Sequence, residues 1–221
     1  MKRLPIIIIA ALTAVLAASA FGAGITVFKT SFSSRAEYES IKSLSGPANK
    51  CKRDWRDQSA LGVTVKGGPI ECTVSTPVSS DAAQPDQLVR VVAKVNKDTD
   101  KKVRKTMYVG VVVRANRKES YELRVLPKPR RFQFLKSGEV LDDGRVDSID
   151  GMATKNRLQI GVERSTVTAK VNGHVVATLK DKNADQVSGR QAGLSFGNNG
   201  KSKKGRGVAF FDKLKVQVPV P

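Results

Sequence analysis

The sequence predicts an all-β protein, an antiparallel β-sandwich preceded by an N-terminal hydrophobic helix. Three observations carry that expectation. After Gly24 the chain is a series of short runs rich in Val, Ile and Thr, bounded by Gly, Asn, Asp and Lys clusters. Within several runs apolar and polar residues alternate, the mark of a strand with one buried face. No long segment repeats its apolar residues at helical spacing. No internal repeat or linker interrupts residues 24–221, which read as one domain.

The first element is an export signal. Met1, Lys2 and Arg3 form a short basic start, and Ile6–Ile9 opens an apolar run that reaches about Ala18. Ala18-Ser19-Ala20 fits a small-x-small cleavage site. The charge-free stretch from Leu4 to Phe28 is also long enough to span a bilayer, since about 20 apolar residues suffice. Residues 1–23 therefore read as a signal peptide, or as an uncleaved membrane anchor with its basic end inside. Both place the rest of the chain outside the cytoplasm, secreted or tethered in the cell envelope.

One short helix is expected over Ser34–Ser40, where Ser33 or Ser34 caps and Glu37 follows as in a capping box. Strands are expected near 25–32, 60–66, 70–75, 87–95, 107–115, 120–126, 131–136, 157–164, 166–172, 174–179, 191–197 and 207–217. Asn172-Gly173 between two of these runs marks a tight hairpin, because both residues accept positive φ. A second turn lies at 115–120. In 107–115, Val109, Val111 and Val113 face one way and Tyr108, Val112 and Arg114 the other. Leu158, Ile160 and Val162 oppose Gln159 and Glu163, and Phe132 and Phe134 oppose Arg131 and Gln133.

Composition excludes several chemistries. Two cysteines and one histidine, His174, cannot supply a zinc finger or a cage of Cys and His alone. Cys51 and Cys72, the only cysteines of an exported chain, are expected to form a disulfide, worth about 3 kcal/mol by loop closure. The formal net charge is +19, from 39 Lys and Arg against 20 Asp and Glu. Such a charge invites a nucleic-acid reading. Export turns it toward an anionic envelope surface, and few aromatics are available for stacking bases.

The order of the segments FKTSF, YVGVVVR, YELRVL, NRLQIGVERSTVTAKVNGHVVATLKD, GRQAGLSFG and VAFFDKLKV resembles the concanavalin A-like lectin/glucanase superfamily. The likeness is to its LamG-like and 3-keto-disaccharide hydrolase-type (DUF1080) domains, and it covers about residues 28–218. It implies a jelly-roll sandwich. It carries over no catalytic residue, because the E-x-D-x-E strand of the glucanases has no counterpart; Glu119, Glu122 and Glu163 stand apart. Two carboxylates within about 10 Å on one sheet face would favour a glycoside-acting hydrolase.

Other motifs dissolve on inspection. Gly193-Leu194-Ser195-Phe196-Gly197 matches a nucleophile elbow, but the segment after it will not start a helix and Ser195 reads as a strand residue. Gly197 to Ser202 lacks the first glycine of a phosphate-binding loop. Asp142, Asp143, Asp147 and Asp150, with Gly144 and Gly151, are candidate calcium ligands at a spacing unlike an EF-hand; otherwise no cofactor is expected.

These residues read best as an exported or membrane-tethered binding module for carbohydrate or an anionic cell-envelope polymer. The alternatives are a hydrolase of the same superfamily and a structural envelope protein without a small ligand. Ligand contacts are expected from the polar sheet face, at Arg114, Glu122, Arg124, Arg131 and Gln133, whose guanidinium groups suit carboxylates, phosphates and sugar hydroxyls. Trp55 either stacks on a sugar or packs under the disulfide loop. Basic clusters lie at Lys50/Lys52/Arg53/Arg56, Lys101/Lys102/Arg104/Lys105, Lys128/Arg130/Arg131 and Lys201/Lys203/Lys204/Arg206.

Overall fold

The computed structural model describes residues 24–219 apart from 42, 57–58, 78–85, 116–118 and 183–190. The hydrophobic segment 1–23 and the centre of the turn expected at 115–120 lie outside the described residues. No helix among the described residues is long and apolar enough to cross a membrane.

Two antiparallel sheets face each other. Sheet A runs β13 (His174–Lys180), β12 (Thr166–Val171), β11 (Asn156–Glu163), β6 (Gln87–Val95), β15 (Arg206–Val218), β4 (Ala60–Lys66), β3 (Cys51–Arg56). Its β1 (Ile25–Thr30) pairs with the C-terminal half of β15, Ile25 opposite Val218. Sheet B runs β10 (Glu139–Arg145), β9 (Arg131–Lys136), β8 (Tyr121–Leu126), β7 (Met107–Ala115), β14 (Gln191–Asn198), β5 (Ile70–Ser75), β2 (Ser43–Ser45).

Every strand expected from alternation is present. Three more were not foreseen: β2, β3 and β10, which are edge strands. An edge has one unpaired flank in water, so charged and turn-like sequences such as CKRDWR and EVLDDGR are tolerated there. Such sequences erase the alternation. The short helix α1 (Arg35–Ser40) starts as expected, with Ser34 Oγ accepting from the Glu37 amide and the Glu37 carboxylate accepting from the Ser33 amide at 2.7 Å. Asn172 and Gly173 take φ of 50° and 89° and close the β12–β13 hairpin.

The core fills the space between the sheets. From sheet A come Leu61, Val63, Val89, Val91, Leu158, Ile160 and Phe211; from sheet B come Val74, Val109, Val111, Leu123, Phe134 and Phe196. Phe196 meets Phe211 edge-to-face across the gap, ring centres 6.4 Å apart. The expected disulfide also crosses it, joining Cys51 at the start of β3 to Cys72 in β5. Each sheet is thereby tied to the other both by packing and by a covalent link.

One expectation needs correcting. The outer face of sheet B is not an open polar surface at its centre, because β7 and β8 are buried on both faces almost throughout. Tyr108, Val112, Leu126 and Leu135 point away from the core yet are covered.

Candidate functional site

Alternation directs Glu71, Tyr108, Glu122, Arg124, Gln133 and Ser195 to the outer face of sheet B, opposite the core residues that flank each of them. The register then sets them in rows. Arg124, Gly110, Ser195 and Thr73 lie opposite one another across β8, β7, β14 and β5; Tyr108, Gly197 and Glu71 form the row beside it. Adjacent strands are about 4.8 Å apart, so β8 and β5 are separated by three strand spacings. Only a long side chain bridges them, and Arg124 is that side chain.

Its guanidinium is held at both ends. Arg124 Nε donates to Glu122 Oε1 at 2.6 Å and Nη2 to Glu122 Oε2 at 2.7 Å, a two-pronged pair on one strand. Nη2 also donates to Glu71 Oε2 across the sheet. Below, the guanidinium carbon sits 4.4 Å from the centre of the Tyr108 ring. Glycines make this possible. A Cβ on Gly110 would collide with Ser195 Oγ, and one on Gly197 would strike the Tyr108 hydroxyl. The floor of the face is therefore smooth enough for the arginine to lie flat.

Burial sets the electrostatics. Glu122 is 4% exposed and Arg124 7%, while the Glu71 side chain is 53% exposed. Burial pushes the Glu122 carboxyl above its usual range, against the opposing pull of Arg124. The arginine stays firmly cationic: burial acts against its charge, but the carboxylates outweigh it and raise its pKa. Tyr108 is held neutral far into alkali, chiefly by burial and then by the charge of Glu122. The Tyr108 and Ser195 hydroxyls are buried without a hydrogen bond of regular geometry, although Ser195 stands beside Glu122 and favours its ionised form.

Around this buried centre lies an accessible rim. Asn199 Nδ2 donates to Gln133 Oε1 at 2.8 Å, and Arg131 pairs with Asp143 of the edge strand. Both members of the latter pair are about half exposed, so their attraction contributes little to stability. The face thus has a rigid ionic base and a row of amide and carboxylate groups above it. Such groups hydrogen-bond hydroxyl-rich ligands.

The structure brings Glu122, Arg124, Arg131 and Gln133 to one face and leaves out two other candidates. Arg114 sits at φ 48°, which breaks the alternation of β7. It is 2% exposed, and its Nη2 donates to Asp86 Oδ1 at 2.8 Å and to the Arg164 carbonyl. It pins loops together at the end of the sandwich rather than facing a ligand. Trp55 belongs to sheet A, where its indole N–H donates to the Phe32 carbonyl at 2.8 Å. Of the candidate calcium ligands, Asp142 and Asp143 lie on β10 and Asp143 meets Arg131, while Asp150 accepts from Asn172. Among the described residues no three of His, Cys, Asp and Glu converge.

Sequence reading put Tyr108 on the outer side of β7 without giving it a role, and missed Glu71 and Asn199 as members of this face. Glu71 is 53 residues from Arg124, and the strand that aligns them, β14, comes from residues 191–198. One signal was available. Gly193, Ser195 and Gly197 alternate with Leu194 and Phe196, which marks a strand whose outer side is kept bare.

No protein-family model and no curated protein matches the chain in sequence. Solved structures do match in shape. The carbohydrate-binding module CBM66 from Bacillus subtilis superposes with a TM-score of 0.60 at 12% identity, covering 80% of this chain and 97% of that one. A protein of unknown function with a galectin-like fold, also from Bacillus subtilis, gives 0.61 at 11% identity over 88% and 96%. A laminarinase from Flavobacterium sp. UMI-01 gives 0.54 at 11% identity over 88% and 100%. These likenesses establish the fold, a two-sheet antiparallel β-sandwich of galectin-like shape, and the fold alone.

Proposed function

We propose that this chain is an exported glycan-binding β-sandwich of the concanavalin A-like type, tethered to the membrane or released, whose binding face is the outer side of sheet B. The observation that carries this reading is the Glu71–Arg124–Glu122 clamp, lying flat over Tyr108 on a glycine-smoothed sheet centre. Glu71, Gln133, Asn199 and Arg131 reach solvent from it and contact the ligand; Arg124, itself held by Glu122 and Tyr108, fixes Glu71. Sugar hydroxyls pair with carboxylate and amide groups in this way, and a preordered base reduces the entropy lost on binding. Carbohydrate binding or carbohydrate action in the names of the similar structures supports this reading without adding a residue to it.

The hydrolase alternative has one observation in its favour: Glu71 and Glu122 share a single guanidinium, so the two carboxylates are close. The arrangement nevertheless suits binding better. A catalytic acid must hand its proton to the leaving oxygen, and both oxygens of Glu122 are already bound by Arg124. The guanidinium also fills the space between the carboxylates where a glycosidic bond would sit. The test is a panel of immobilised neutral and acidic glycans probed with the full chain at low salt and at about 0.5 M salt. Saturable binding of a neutral glycan that survives high salt supports the proposal. Release of reducing sugar from such a glycan would replace it with the hydrolase reading, and retention of no neutral glycan would overturn it.

A further inference from the structure

The fold sorts the charge of this chain toward one end. Strand directions place the connections 46–50, 67–69, 96–106, 127–130, 146–155, 172–173 and 199–205 together, at the end where β7 begins and β14 finishes. These loops carry twelve lysines and arginines against four aspartates. The described residues of the loops at the other end carry three cations, Arg35, Arg164 and Lys182, against five acids. Among the described residues only Lys155 of the twelve has an ion-pair partner, Asp212 at 3.4 Å.

The basic end is a built surface. The Asp100 amide donates to the Arg206 carbonyl at 2.9 Å, and the Arg206 amide returns a bond to Asp100 Oδ2 at 2.7 Å. The Asn199 amide donates to Thr106, and Gly67 to Gly205. Two clusters far apart in sequence, 101–105 and 201–206, are thereby stitched into one platform. No aromatic residue lies in any of these loops, so stacking of bases has no material there. Ten of the twelve cations are lysines, compact point charges that follow charge density rather than read a planar pattern.

The chain's own entry lies elsewhere. Ile25 pairs with Val218, at the end of sheet A remote from Arg206. Residues 1–23 join the fold there, so a membrane holding that segment would face the end remote from the lysine-rich loops. We propose that the lysine-rich end is a second binding surface, for a linear acidic polysaccharide that lies beyond the membrane-proximal side. The choice of a polysaccharide over other polyanions rests on the export and glycan-binding reading above; the electrostatic surface itself does not.

The test uses the full chain with three probes: heparin as a sulfated polysaccharide, polygalacturonate as a carboxylated one, and a short DNA duplex. The prediction is that both polysaccharides bind at low salt and lose at least about tenfold in affinity when salt rises fourfold. K101E/K102E/K203E weakens both by at least about tenfold. R35E/R164E/K182E, an equal charge change at the other end, leaves them within about twofold. Failure of both polysaccharides to bind, or equal loss in the two triple variants, would overturn the platform. Tighter binding of the duplex than of either polysaccharide would overturn the choice of ligand. Loss of neutral-glycan binding in none of these variants keeps this test separate from that of the sheet B face.

Discussion

Two regions of this molecule hold cations in opposite ways. On the outer face of sheet B a single guanidinium is buried, engaged by two carboxylates and laid against a phenol ring. At the lysine-rich end a dozen cations stand in loops, and among the described residues only Lys155 of them has an ion-pair partner. The difference teaches what each region can do. A buried, fully paired charge fixes geometry and responds weakly to salt; an exposed, unpaired one attracts a distant polyanion and is screened within about 8–10 Å. Only the first can be mutated to destroy the fold.

The largest effect should come from unpairing the buried clamp. Arg124→Met leaves Glu122 buried without its cation and should destabilise the fold by about 3–5 kcal/mol, read from urea unfolding. Glu122→Leu combined with Arg124→Met should recover most of that loss, because no lone charge remains. A double variant as unstable as the single would mean that packing over Tyr108, rather than ion pairing, supports the face.

Next in size is the covalent tie between the sheets. Cys51→Ser with Cys72→Ser should cost about 3 kcal/mol, checked by the same unfolding curves with and without reductant. Smaller again is the alkaline limb. Tyr108 and Tyr121 are both held neutral chiefly by burial, Tyr121 also by its bond to Asp181. Their pKa values are raised on folding, so the stability they contribute is complete below the unfolded value of about 10 and falls as pH rises past it. Tyr121→Phe should flatten that decline in an unfolding series from neutral to strongly alkaline pH. An unchanged slope would show that the Tyr121 phenol does not control it.

The smallest stability effect belongs to the lysine-rich end. K101E/K102E/K203E should move unfolding by no more than about 0.5 kcal/mol, since these side chains leave no buried group unpaired. That near-neutrality sharpens the contrast, because the same variant is expected to abolish most polyanion binding. A large loss of stability would show that the loops carry structure as well as charge.

What the sequence disclosed follows the same division. Strands such as β11 and β12 were legible because one face of each meets the core and the alternation survives. The edge strands β3 and β10 were not, since water on one flank lets charge replace the pattern. Cys51 and Cys72 were legible as a pair because no other cysteine competes. Glu122, Arg124 and Gln133 could be placed on one face from β8 and β9, which are neighbours in sequence as well as in space. Glu71 could not, because its row is assembled by β14, more than a hundred residues later. Arg114 was misplaced because a single left-handed residue reverses its direction, and alternation carries no warning of that. The basic clusters were visible one by one; their gathering at one end is a property of strand direction alone.

The most direct measurement compares E71A/Q133A with K101E/K102E/K203E on the same panel of neutral glycans, at about 0.5 M salt. Glu71 is the exposed member of the clamp, and Arg124 keeps both of its bonds to Glu122 without it, so both proteins should fold. Loss of neutral-glycan binding in E71A/Q133A, with K101E/K102E/K203E unchanged, is the result predicted for a binding face on sheet B. Full binding by E71A/Q133A would contradict it.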